Sequence, residues 1–114
     1  GHGGQDFLTA YAVAKGALSI LTKNAAYAMM RNRIRVNQLN LGWMDTPGED
    51  ETQRKYHGAG DGWLAEAEAR LPMGMLVKPD HVAALASYML SPDSGVMTGA
   101  LVDFDQNVTG ASPE

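Results

Sequence analysis

Cysteine is absent from the 114 residues, so disulfides and thiolate metal sites are excluded and a reducing, cytoplasmic setting is the expectation. No apolar run approaches the ~18 uncharged residues of a membrane-crossing helix, and no targeting segment is legible. An excess of basic charge is missing too: the net charge is −4, with acids and bases mixed along the chain. Nucleic acid, which calls for a basic face, is therefore not an expected partner. No cluster of His, Asp and Glu has metal-ligand spacing, so no metal is expected. No carboxylate pair suggests acid–base work, and Ser19, Ser87, Ser91 and Ser94 lack the context of a nucleophile elbow. Asn107-Val108-Thr109 fits a glycosylation acceptor but, with no secretory signal in view, reads as an accident of composition.

What remains is an ordinary globular composition, 45% apolar, in a chain long enough for one domain with a modest core. The stretch that carries chemistry is Tyr11-Ala12-Val13-Ala14-Lys15. Residues four apart share one helix face, so the phenol and the ammonium are expected side by side. A phenol with an ordinary pKa of about 10 is a poor base at neutrality, and a fixed cation within ~4–6 Å favours its ionised form. A Tyr and a Lys so placed suit proton transfer to or from a hydroxyl.

The spacing predicts a helix over about 10–30, capped by Thr9. Its apolar face is expected to comprise Ala12, Val13, Ala14, Ala17, Leu18, Leu21, Ala25, Ala28 and Met29. Arg31-Asn32-Arg33 should end it, with Asn32 in a left-handed turn. Residues 34–41 read as a short buried strand. Gly42 then allows a sharp turn and a close backbone approach to a ligand. Residues 48–71 contain two weak helical pieces, 50–56 and 63–71, around the hinge-like Gly58-Ala59-Gly60-Asp61-Gly62. Pro79 opens another helix, running to Leu90 with His81 on its exposed face. Ser91 to Gly95 is loop, and 100–104 is a strand expected to pair parallel with 34–41 through a helical crossover.

Tyr11-Ala12-Val13-Ala14-Lys15-Gly16-Ala17-Leu18 resembles the active-site helix of the short-chain dehydrogenase/reductase family. Ile34-Arg35-Val36-Asn37, Gly42-Trp43-Met44-Asp45-Thr46 and Met97-Thr98-Gly99 with Leu101-Val102-Asp103 resemble the same family in the same order. The resemblance covers nearly all of this chain and the second half of a typical member. It implies an α/β fold: the C-terminal portion of a Rossmann-like, doubly wound parallel sheet. That portion would hold the last two strands, the active-site helix and the substrate-lid helices as a single partial domain over 1–114, with the lid at 48–71.

It further implies an oxidoreductase moving a hydride between NAD or NADP and an alcohol or carbonyl substrate. Tyr11 would be the acid/base and Lys15 its helper and a clamp on the nicotinamide ribose. Gly42, Met44 and Thr46 would serve the cofactor, Met44 through its backbone to the carboxamide and Thr46 through its hydroxyl. Trp43 would wall the substrate, with Tyr56, His57 and Trp63 from the lid; for Trp43 simple core burial is an equal alternative, and His57 is not expected to be catalytic. A strand end reading Asp103-Phe104-Asp105-Gln106-Asn107, where many members have Asp-Gly-Gly, points weakly to a sugar or polyol substrate. Two more departures stand out: Leu41-Gly42 where Pro-Gly is usual, and Met75 where an ion-pairing Arg is common.

The 114 residues contain no Gly-rich strand–turn–helix unit to hold a pyrophosphate, and the family's catalytic serine would fall just ahead of Gly1. The opening Gly1-His2-Gly3-Gly4 reads as loop and as a cut within a longer fold, and the tail 110–114 as frayed. Two strands do not make a stable open sheet. Association with an N-terminal half or with a second copy is therefore expected, and no turnover from the chain alone. The alternative is a non-catalytic oligomerisation module in which the Tyr–Lys pair is vestigial.

Overall fold

A computed structural model describes residues 9–108 and 110; the opening glycines, Thr109 and the last four residues lie outside the described residues. The helix α1 spans Thr9–Met29. Thr9 belongs to its first turn and is not the residue ahead of it. The strand β1 spans Gln38–Leu41. It is followed by α2 (Pro47–Tyr56), α3 (Trp63–Ala69) and α4 (Pro79–Leu90), and β2 (Leu101–Phe104) closes the order. β1 and β2 form a two-stranded sheet. The Gln38 N–H donates to the Ala100 carbonyl at 2.9 Å and the Gly42 N–H to the Phe104 carbonyl at 3.0 Å. The two bonds keep one sequence offset, so the strands run parallel, as expected.

Two compact units are present, residues 9–40 with 88–103, and residues 41–87 with 104–108 and 110. In the first, α1 is long because its seven alanines, with Lys15, Leu18, Leu21, Lys23 and Met29, outweigh Gly16 and the β-branched Thr9, Val13, Ile20 and Thr22. Its buried residues are Ser19, Thr22 and Ala26, not the expected apolar stripe. The reason lies in β1. Gln38 is buried, and its amide takes the Thr22 hydroxyl at 3.0 Å and donates to Ser19 Oγ at 3.1 Å. A buried amide stabilises the fold only when bonded, and the small hydroxyls of α1 supply the partners. Val13, Ile20, Leu21 and Tyr27 are left outward, all more than 60% exposed.

α1 passes into a 3-10 turn, Met30–Asn32, and the left-handed residue is Arg33 (φ 58°), one later than expected. The extra turn carries helical backbone through Asn32, so the reversal falls on the next residue. The regular strand is also shorter than the expected 34–41. Residues 34–37 instead bind the segment 91–100 largely through side chains. Arg35 donates to Ser94 Oγ at 2.6 Å and to the Met97 and Ser91 carbonyls at 3.2 Å. Asn37 donates to the Met97 carbonyl at 3.1 Å and accepts the Ala100 N–H at 3.0 Å. Between them the Val36 N–H reaches Thr98 Oγ1 at 3.1 Å, and the Gly99 N–H reaches the Val36 carbonyl at 2.8 Å. Two of the four motif stretches are thus bound to each other. The left-handed Gly99 (φ 68°) lets this happen directly before β2.

In the second unit the core is Trp63, Ala67 and the fully buried Leu76, with Ala59, Leu64 and Leu71 packed around it. Burial of these side chains stabilises the unit by roughly 1.5–3 kcal/mol for each large residue. α2 begins earlier than expected because Pro47 sits at its first position and Thr46 caps it, accepting the Glu49 N–H at 3.1 Å. His81 is exposed, as expected. No helix among the described residues is long and apolar enough to cross a membrane.

Candidate active site

Tyr11 and Lys15 lie one turn apart near the start of α1, and both are exposed. Lys15 Nζ stands over the Tyr11 ring, 5.4 Å from its centroid, at the range of a cation–π contact. Among the described residues no carboxylate pairs with Lys15. One turn on, Ser19 Oγ donates to the Lys15 carbonyl at 3.3 Å and accepts from Gln38. The buried side of α1 thus fixes the helix while its first turns offer the phenol and the ammonium outward.

The second unit holds the other candidates. The close approach of the Gly42 backbone is to the chain itself and not to a ligand: a Cβ at residue 42 would lie 2.6 Å from the Asp105 Cα. Gln106 is left-handed (φ 61°), and its amide donates to the Met75 carbonyl at 2.9 Å. Met44 pairs with Val77 in an isolated parallel bridge: the Val77 N–H reaches the Trp43 carbonyl at 3.0 Å and the Asp45 N–H reaches the Val77 carbonyl at 2.9 Å. In such a pairing the flanking residues make the bonds, and Met44's own N–H and C=O point the other way. Thr46 is occupied as an acceptor by its cap but retains a hydroxyl proton to donate.

Trp43 is 43% exposed, stacks on Trp63 at 6.1 Å between centroids and donates Nε1 to Glu49 at 2.8 Å. Trp63 is buried in the core, and its Nε1 donates to Asp50 at 2.7 Å. That bond, with Arg54 beside it, holds the Asp50 carboxyl below its ordinary value. Tyr56 and His57 lie exposed at the end of α2, with Lys55 over the Tyr56 ring.

One cluster has no counterpart among the expected residues. Lys78 Nζ lies 2.9 Å from both Asp45 Oδ2 and Glu68 Oε2. Glu68 also accepts the Leu76 N–H at 2.8 Å. The Lys78 ammonium, then that N–H, hold the Glu68 carboxyl below its ordinary value; Glu68, then Asp45, hold Lys78 above its own. The sequence signal was an Asp inside a motif and a Lys before Pro79, 33 residues apart. No periodicity links such positions. Among the described residues no group of acids and histidines could hold a metal ion.

Residues 1–109 match the model of a family described as Enoyl-(Acyl carrier protein) reductase. The chain belongs to the short-chain dehydrogenase/reductase family. It is similar to the short-chain reductase protein NovJ of Streptomyces niveus, 32% identical over 105 residues, which are 92% of this chain and 39% of that protein. Among solved structures it is similar to a short chain dehydrogenase family protein from Francisella tularensis, with TM-score 0.75 and 28% identity over 90% of this chain and 44% of the other. Actinorhodin polyketide ketoreductase, solved with NADPH, shares the fold at TM-score 0.77 and 23% identity, over 96% of this chain and 43% of its own. The chain thus spans about two fifths of the length of these proteins. The short-chain dehydrogenase/reductase fold is Rossmann-like, and the parallel β1–β2 pair with its helices is a portion of it, as the resemblance implied.

Proposed function

We propose that this chain is the acid/base portion of an oxidoreductase that transfers a hydride between NAD or NADP and an alcohol or carbonyl substrate. The observation that carries the reading is the exposed Tyr11–Lys15 pair on one face of α1. Several relatives support the cofactor class, among them the ketoreductase solved with NADPH. The groups available here fit it: Lys15 is an exposed cation suited to ribose hydroxyls, and Met44 offers an outward N–H and C=O suited to a carboxamide. Thr46 adds a hydroxyl donor, and Gly42 keeps the turn before them tight.

In the oxidative direction the ionised Tyr11 Oη accepts the proton of the substrate hydroxyl as the carbinol hydrogen leaves as hydride with the C–H bonding pair and the C–O bond becomes a carbonyl. In the reductive direction it returns that proton to the new alkoxide. Lys15 stabilises the negative charge that develops on Tyr11 Oη. The nicotinamide, when bound, supplies the hydride acceptor or donor. Trp43, backed by Trp63, offers an apolar face to a substrate, and Tyr56 and His57 offer polar groups suited to a hydroxylated one, such as a sugar or polyol.

The 114 residues contain no Gly-rich phosphate-binding turn, and turnover is not expected from them alone. The whole gene product should oxidise or reduce a small alcohol–carbonyl pair with NAD(H) or NADP(H). Absence of any such activity across polyols, hydroxyacyl esters and ketones would contradict the reading. The outward apolar residues of α1 suit packing against further chain, a second copy or an N-terminal half. A compact monomer of the 114 residues in sedimentation would contradict that.

A further inference from the structure

We propose that Lys78 is a positioning residue for the segment Met44–Thr46, and through it for the hold on the nicotinamide end of the cofactor. This rests on the function proposed above. The segment leaves β1 and enters α2; its backbone is held by the bridge in which Val77 bonds Trp43 and Asp45 and, where α2 begins, by the Asp50 N–H on the Thr46 carbonyl. Lys78 follows Val77 directly, and its ammonium reaches back to the Asp45 carboxylate at 2.9 Å. Backbone and side chain of adjacent residues thereby grip the same point.

The ammonium is itself held. Glu68 in α3 binds it at 2.9 Å and is tied in turn to the Leu76 N–H at 2.8 Å. The three side chains are 21–31% exposed, so water screens them only in part. Asp45 lies between Met44, whose N–H and C=O face away from Val77, and Thr46, whose hydroxyl caps α2. Removing the ammonium leaves two carboxylates that share one nitrogen to repel each other. Asp45 then turns outward, and the backbone of its two neighbours loses its fixed direction. The adenosine end of a dinucleotide has no part in this arrangement.

The test compares two probe pairs on the whole gene product: NADH against ADP-ribose, and NADPH against 2′-phospho-ADP-ribose. The second probe of each pair lacks the nicotinamide ring. Lys78→Met should weaken the reduced dinucleotide about fivefold, the scale of a partly screened ion pair, and leave the ring-less probe unchanged. Lys78→Arg should restore binding, and Asp45→Asn should reproduce the loss even if Lys78→Met does not fold. In the double variant the second change should add less than it does alone. Equal losses for both probes, or no loss for either, would overturn the positioning role while the proposed function stands. If the unaltered protein binds neither dinucleotide, both fall.

Discussion

The backbone of Gly42 lies so near Asp105 that a β-carbon on residue 42 would stand 2.6 Å from the Asp105 Cα and 2.9 Å from its carbonyl oxygen. These are backbone atoms and cannot swing aside. Glycine here serves a chain crossing just beyond the ends of β1 and β2.

Gly42→Ala should therefore destabilise the protein by about 1–3 kcal/mol, the scale of overpacking. The midpoint of urea unfolding measures it. Gly16→Ala is the control, since nothing lies within 4 Å of a Cβ there, and alanine should raise helix stability by roughly 0.5–1 kcal/mol. Equal midpoints for the two variants would contradict the crossing.

Arg35→Met should cost about 2 kcal/mol, because three acceptors, Ser94 Oγ and the Met97 and Ser91 carbonyls, lose a charged donor at once. Hydrogen exchange should quicken at Gly99 and Ala100, the amides bonded to Val36 and Asn37. Unchanged exchange there would show that the backbone pairing holds without the guanidinium.

The Lys78–Glu68 contact sets an acid dependence. Glu68 is held below its ordinary value of 4.5 in the fold, so the folded state favours its ionised form. Its contribution is present in full above 4.5 and is lost as pH falls through the lowered value. Lys78 is raised above 10.5, so its contribution holds below that and is lost only as pH climbs through the raised value. Glu68→Gln should thus be less stable than the unaltered protein at neutrality, with the gap closing as pH falls below 4.5. A gap that stays constant into acid would contradict the pairing.

Much of this arrangement is legible in the residues, for different reasons. The length of α1 follows from its alanines, and the parallel pairing of residues 38–41 with 101–104 from two strand-like runs and a crossover, although of β1 only Gln38 is buried and Leu41 is exposed. The start of α2 lies ahead of the helical pattern because Thr46-Pro47 is a capping signal hidden inside a motif. The buried side of α1 was not legible: an apolar stripe marks where a helix prefers to pack, yet Gln38 on β1 requires hydroxyls opposite it, and only Ser19 and Thr22 supply them. The left-handed Arg33 and Gln106 (φ 58° and 61°) stand where composition favours Asn or Gly, at a local cost of about 1–2 kcal/mol each; Gln106 gains a tertiary bond to the Met75 carbonyl, whereas the bond at Arg33 is the local one from its N–H to the Met30 carbonyl. Lys78 was not legible at all, because ion pairing between remote positions leaves no local pattern.

The central claim is that Tyr11 transfers the proton with Lys15 beside it, and it is tested by kcat and cofactor Kd in the Tyr11→Phe variant of the whole gene product. The phenyl ring keeps the packing and loses only the exposed hydroxyl. Turnover should fall about 10²–10⁴-fold, with cofactor Kd and unfolding midpoint unchanged. Retention of kcat within a few-fold would contradict the assignment of Tyr11 as the acid/base.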